Sequence, residues 1–250
     1  MSEPGYFIAI EGGDGAGKST QMARLAAWLR EVTGREVVAT REPGGTELGQ
    51  TLRNAVMHGE HVDPRTEALL YATDRAHHVA SVVRPALERG AIVISDRYLD
   101  SSIAYQGHGR ELGAEEVERL SLWATDGLLP DLTVLLDLAP DAARARMTGE
   151  LDRIEQADPE FFERTRDAYL ERVDLDPGRY VVVSADADIA SIQMETRGHV
   201  ARALELDPDL IARGDADGEA DGDADGDADG DASGEAHGAP HGAPHGEAEP

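Results

Sequence analysis

The 23 basic residues of this 250-residue chain include a single lysine, Lys18, which lies in Gly12-Gly13-Asp14-Gly15-Ala16-Gly17-Lys18-Ser19. All the others are arginine. A loop that wraps phosphate has room for a compact ammonium and not for a planar fork, so a lysine kept only here points to nucleotide chemistry. The spacing G-x-x-x-x-G-K-S follows an apolar run, Tyr6-Phe7-Ile8-Ala9-Ile10, and precedes the helical spacing Met22, Leu25, Ala26, Leu29. Strand, glycine-rich loop and helix are the context in which this spacing cradles phosphate. The backbone N–H groups from Gly12 through Gly17 turn toward phosphate oxygens, and the helix entered at Lys18, Ser19 and Thr20 adds its positive end. In that frame Lys18 reaches the β- and γ-phosphates and the Ser19 hydroxyl ligates Mg²⁺. The alternative, a glycine turn ahead of an ordinary helix, is disfavoured because both flanking elements are in place.

The elements that must position this loop alternate along the chain. Apolar runs predict strands near 6–11, 36–40, 91–95, 132–137 and 180–183. Between them, helical patterns occur near 18–31, 46–57, 64–89, 114–124, 140–147, 159–173 and 187–205. Near-continuous apolar strands separated by helices mean an α/β protein with a five-stranded parallel sheet and helices on both faces. With the glycine loop this is a P-loop NTPase, to which the arginine-rich stretch near 144–157 could add a small lid. Ligands of such sheets bind at the carboxyl ends of the strands, so the residues just after each strand carry the information.

Arg41-Glu42-Pro43-Gly44-Gly45-Thr46 follows the second strand, and Asp96-Arg97-Tyr98 with Ser101-Ser102-Ile103-Ala104-Tyr105-Gln106 follows the third. Asp96 beside Arg97 is either an ion pair closing the sheet or a functional pair, with Asp96 in the Mg²⁺ shell and Arg97 on a phosphate. The neighbouring phosphate loop favours the second. Tyr71 and Arg75 stand four apart on one helix face, a pair that is by itself more often a core residue beside a surface one, but is also suited to stacking a base and bonding its edge. Arg144, Arg146 and Arg153 flank Thr148-Gly149-Glu150-Leu151-Asp152. They are either a solvated face paired to nearby acids or a lid, about 144–157, that brings guanidinium groups onto a transferring phosphoryl group.

Composition narrows the class. The formal net charge is −27, and 12 of the 50 acids fall in residues 214–250. That Asp/Ala/Gly segment, ending in His-Gly-Ala-Pro repeats, has too little apolar surface to offset its ordering entropy and is expected to be a disordered tail beyond a 1–213 P-loop domain. Its Asp-x-Asp-Gly runs and His237, His241 and His245 suggest at most weak cation binding. Acidity with lysine nearly absent suggests a halophile-like, high-salt setting and opposes nucleic-acid binding. No cysteine is present, no segment has the length of a membrane span, and the start lacks a signal-peptide pattern, so a cytoplasmic chain is expected.

Taken together, Ala9 through Thr20, Arg41 through Thr46, Thr73-Asp74-Arg75, Ile94 through Gln106 and Gly149 through Glu155 resemble the thymidylate kinase family over roughly 6–205. The resemblance implies transfer of the ATP γ-phosphoryl group to dTMP, giving dTDP, with Mg²⁺ held by Ser19 and Asp96, and a homodimer. It implies that Tyr71 stacks on the base, Arg75 bonds the thymine edge, and Asp14 sits near the sugar 3′-hydroxyl. Ser102, Tyr105 and Gln106 would surround the nucleoside, with Arg97 and Arg41 on the monophosphate. Some members carry an arginine where Gly15 stands here, so the catalytic arginine is expected from the lid, Arg153 first and then Arg146 and Arg144. Thr148 stands where related lids often place another arginine. The rivals are another nucleoside monophosphate kinase (dUMP or CMP class) and a non-enzymatic ATP-binding protein. A guanine-reading switch and a partitioning-type ATPase each need a second lysine, which is missing.

Overall fold

β1 (Tyr6–Glu11) is almost wholly apolar and runs straight into the glycine loop, which hands the chain to α1 (Lys18–Thr33). This computed structural model describes residues 3–147 and 153–213. β2 (Val37–Arg41), α2 (Glu47–Met57) and α3 (Pro64–His78) follow. A π-turn over Val79–Val83 leads to α4 (Arg84–Glu88) and β3 (Ile92–Asp96). α5 (Leu99–Ser102) continues into a second π segment, Ile103–Gly109, ahead of α6 (Ala114–Ala124). β4 (Leu132–Asp137), α7 (Pro140–Arg146), α8 (Pro159–Leu175), β5 (Tyr180–Ser184) and α9 (Ile189–Ala203) complete the order.

The five strands are parallel in the order β2-β3-β1-β4-β5. Ile10 pairs with both Asp96 and Val134, so β1, β3 and β4 end at one level with the glycine loop between them. Alternation of side chains divides the core. Ile8 and Ile10 pack with Leu25 and Leu29 of α1 and Ile192 and Val200 of α9, whereas Phe7 and Ala9 pack with Val79, Val83, Tyr98 and Val117. The five strands and the two-faced burial agree with the pattern expected from the sequence.

Two stretches depart from it. The helix expected over 64–89 is interrupted at Val79–Val83. Pro85 has no N–H to give to Ser81 and its ring crowds that carbonyl, and the wider turn, in which the Arg84 N–H bonds Val79 O, accommodates it. Residues 99–109, where the sequence pattern offers no element, are helical despite Gly107 and Gly109. Glycine is required at 109 because a Cβ there would stand 2.5 Å from the Phe161 ring of α8. No helix among the described residues is long and apolar enough to cross a membrane. The expected tail, 214–250, and Thr148 through Asp152 of the expected lid lie outside the described residues.

Candidate active site

The glycine loop is shaped by close backbone approaches. A Cβ on Gly12, at φ +138°, would lie 2.4 Å from Leu136 O of β4. One on Gly15, at φ +76°, would lie 2.7 Å from Ala143 O of α7. That second approach leaves no space for an arginine at 15 and brings α7, with Arg144, to the loop. α1 begins at Gly17 without a side-chain cap, so its first N–H groups point at the loop's interior, an anion site by construction. Lys18 is buried and its Nζ donates to Gly13 O at 2.8 Å. Burial, then the charge of Arg97, pulls its ammonium below the usual lysine range, against Asp14, Asp96 and Glu11. Ser19 Oγ donates to Asp96 Oδ2 at 2.9 Å, while Asp96 Oδ1 is buried with no partner. A hydroxyl and an unsatisfied carboxylate oxygen at the mouth of a phosphate loop are the donor set a Mg²⁺ ion takes, so the residues fit that ion.

Arg97 is the hub. Its φ of 69° is a left-handed conformation that β3's end imposes through the Arg97 N–H to Ile10 O bond at 2.9 Å, strain of the kind found at working sites. Its guanidinium pairs with Asp14 and donates to Gly12 O, Ser101 Oγ and Tyr169 Oη, at 3.0, 3.0 and 3.3 Å. Tyr105 Oη in turn donates to Asp14 Oδ2 at 2.9 Å. Burial pushes the Asp14 carboxyl up, but Arg97 and Lys18 outweigh it and hold it down to about 2. Behind Arg97, Glu11 accepts from the backbone N–H groups of Tyr98 and Ser101, from Ser101 Oγ at 2.6 Å and from Tyr169 Oη at 3.1 Å. Burial and the nearby Asp100 raise the Glu11 carboxyl to about 7.

Next to Asp14 opens a cavity lined by Tyr71, Arg75, Arg97, Ser102, Tyr105 and Gln106. The structure thus brings together six residues that the sequence places on one helix and on the stretch following the third strand. Arg75 is 2% exposed. Its Nε donates to Glu42 Oε2 at 2.7 Å, its Nη1 to Ser121 Oγ, and its Nη2 to Tyr98 O and Ser102 Oγ. Glu42 Oε1 meets His78 Nδ1 at 2.8 Å, and His78 Nε2 meets Thr40 Oγ1 at 2.7 Å. Asp74 borders this cluster, accepting from the Gly44 N–H, and burial followed by Glu42 raises it to about 6.

Arg41 does not join the cavity. Exposed at the end of β2, it shares a strand face with Val37, which packs toward α1; the cavity lies on the opposite face, where Thr40 meets His78. Arg53 of α2 lines the cavity instead, together with Arg75 and Arg97. The lid arginines also separate. Arg153 donates from Nε to Val56 O at 2.8 Å and stands 2.8 Å from Glu67, beside α2 and α3 and not over the loop. The carbonyl end of α2 and a buried carboxylate draw it there. Arg146 donates to Ala185 O beyond β5. Arg144 lines a second cavity, of about 280 Å³, with Gly12, Gly13, Asp14 and the Asp137–Arg166 pair.

Sequence reasoning passed over Glu11, Glu42, Arg53, Glu67, His78 and Tyr169. Glu11 carried a signal, a charge closing an otherwise apolar strand. Tyr169 and Glu67 carried none, since their partners lie 39 or more positions away.

A family model described as Thymidylate kinase matches residues 10–195. A protein of Clavibacter sepedonicus named thymidylate kinase is 56% identical over 202 residues, 78% of this chain and 95% of that one. One of Leifsonia xyli subsp. xyli with the same name is 57% identical over 200 residues, 78% and 94% of the two chains. A third, of Bifidobacterium longum, is 51% identical over 193 residues, 75% and 93%.

Proposed function

We infer function from one premise: the chain belongs to the thymidylate kinase family. It is a phosphotransferase that phosphorylates dTMP to dTDP. The observation that carries this at the level of the site is the junction at Asp14 and Arg97. There a phosphate loop and a cavity lined by an aromatic ring, a guanidinium and an amide share one wall.

ATP is the phosphoryl donor, on the loop from Gly12 to Thr20. Ser19 and Asp96 hold Mg²⁺, which neutralises charge on the β- and γ-phosphates when bound. The chain's own residues position and compensate charge. Lys18 gives up its bond to Gly13 O for a phosphate oxygen. Arg97, steadied by Asp14, Ser101 and Tyr169, faces the monophosphate with Arg53 beside it. Tyr71 stacks on the base, Arg75 and Gln106 read its edge, and Ser102 and Tyr105 border the sugar. Among Arg144, Arg146 and Arg153, Arg144 clamps the transferring group, a reading supported by its sharing a cavity with Gly12 and Gly13, and Arg153 closes the acceptor side. Positioning and electrostatics suffice, since this transfer needs no covalent intermediate.

The enzyme works in dTTP synthesis in the cytoplasm, at high salt given its charge of −27. It acts as a homodimer without nucleic acid or membrane. Trp123 of α6 and Leu69 of α3, 83% and 54% exposed, support a second copy covering them. The deciding experiment is ADP release with ATP and Mg²⁺ across a KCl series, comparing dTMP with dUMP, dCMP and dGMP. Turnover preferring dTMP and rising with salt is expected. ATP binding with no dTMP-dependent ADP release would sink the assignment, and equal rates with dCMP would move it to another monophosphate kinase.

A further inference from the structure

We propose that Glu67 determines base specificity by holding the Gln106 amide in a single orientation, so that the cavity reads a thymine edge and refuses a cytosine edge. The inference rests on the acceptor cavity being the dTMP site. Glu67 projects from α3, is 1% exposed and stands outside the cavity lining. Its Oε1 accepts from Gln106 Nε2 at 2.9 Å and from Arg110 Nε at 3.3 Å, and its Oε2 lies 2.8 Å from Arg153 Nη2. A carboxylate set between two guanidinium groups accepts and does not donate. An amide facing it must therefore present its NH₂, because the reversed amide would set oxygen against oxygen. Gln106 Oε1 is left for the cavity that Gln106 lines.

Arg75 supplies the complement. It gives four of its five N–H hydrogens to Glu42, Ser121, Tyr98 O and Ser102, and one hydrogen on Nη1 remains. The cavity thus offers one acceptor and one donor. Thymine presents an N3–H donor next to its O4 acceptor, and both match. Cytosine presents an N3 acceptor next to an N4–H₂ donor, and both clash. Glu67 touches neither base nor phosphate, so it is a positioning residue. Because the same carboxylate holds Arg153, the amide that reads the base and that guanidinium share one anchor.

The test uses full-length wild type, Glu67→Gln, Gln106→Ala and the double variant, each assayed by ADP release with dTMP, dUMP and dCMP. A glutamine at 67 can accept or donate, which frees Gln106 to turn over. Glu67→Gln is expected to lower the ratio of kcat/KM for dTMP to that for dCMP by about tenfold or more. The ratio of dTMP to dUMP, which share an edge, should stay unchanged, and Glu67→Gln should not alter the dTMP-to-dCMP ratio further when added to Gln106→Ala. These ratios are independent of the folded fraction. If Glu67→Gln gives no soluble enzyme, Glu67→Asp withdraws the charge by one methylene and should relax the ratio in the same direction. An unmoved ratio in the variant obtained, or an equal shift in the Gln106→Ala background, overturns the proposal. Failure of the dTMP assignment is distinct: the wild type itself would release no ADP with dTMP.

Discussion

The acceptor cavity and the α7 side of the phosphate loop both carry guanidinium groups, and they hold them in opposite ways. Arg75 lies inside the protein with every nitrogen bonded, braced by Glu42, His78 and Thr40. Arg144 and Arg146 sit on a helix with no buried residue, in solvent. A buried charge network is stable only when all its members are satisfied, so it is rigid and selective. An exposed guanidinium is screened by salt and little constrained. The cavity wall is thus fixed in advance of any ligand, while the α7 guanidinium groups are left where a polyanion can recruit them.

The largest effect expected is at the boundary between the two regions. Lys18→Ala should lower kcat by about 10³-fold or more, as losing a phosphoryl-clamping cation does. A loss under tenfold in ADP release would remove the lysine from the mechanism and leave the comparison without its centre.

The comparison itself is sharpened by two matched substitutions. Arg75→Met leaves Glu42 buried and short of its cation, which costs about 3–5 kcal/mol of stability. Arg144→Met should change stability by no more than about 0.5 kcal/mol yet lower kcat by about 10²-fold. Chemical denaturation and steady-state rates report both, and equal destabilisation by the two would erase the distinction.

The smallest effect concerns pH. Glu11, raised to about 7, and Asp74, raised to about 6, bind protons in the folded state that the unfolded chain has already released. Their contribution is therefore present below the ordinary carboxylate range, about pH 4, and lost as pH rises through 6 and 7. Asp14, held at about 2, acts in the opposite sense, adding stability above about pH 4 that is lost on acidification toward 2. Melting temperature should fall between pH 5.5 and 8, and Glu11→Gln should flatten that slope. A variant slope equal to wild type would place the titration elsewhere.

How much of this was legible in the chain follows from which interactions are local. The phosphate loop and its flanking strand and helix lie within 28 consecutive residues, and the spacing is itself the signal. Tyr71 and Arg75 share a face by helical geometry alone, and the structure sets both on one cavity. That Arg41 stays out of the cavity lining was not legible, because the last residue of a strand can face either side of the sheet and only the packing of Val37 and Thr40 shows which. The π segment at Ile103–Gly109 was invisible because its glycines read as breakers until α8 packs against them.

The order of elements, the parallel sheet and the glycine loop were written in local spacing and hydrophobic period, because backbone hydrogen bonding and burial act along short stretches of chain. Which partner each buried charge meets was decided only on folding. Arg75 with Glu42, Gln106 with Glu67 and Arg153 with Val56 are pairs separated by 33, 39 and 97 positions. A buried ion chooses its partner by proximity in a low-dielectric interior, and that proximity exists only once the helices have packed.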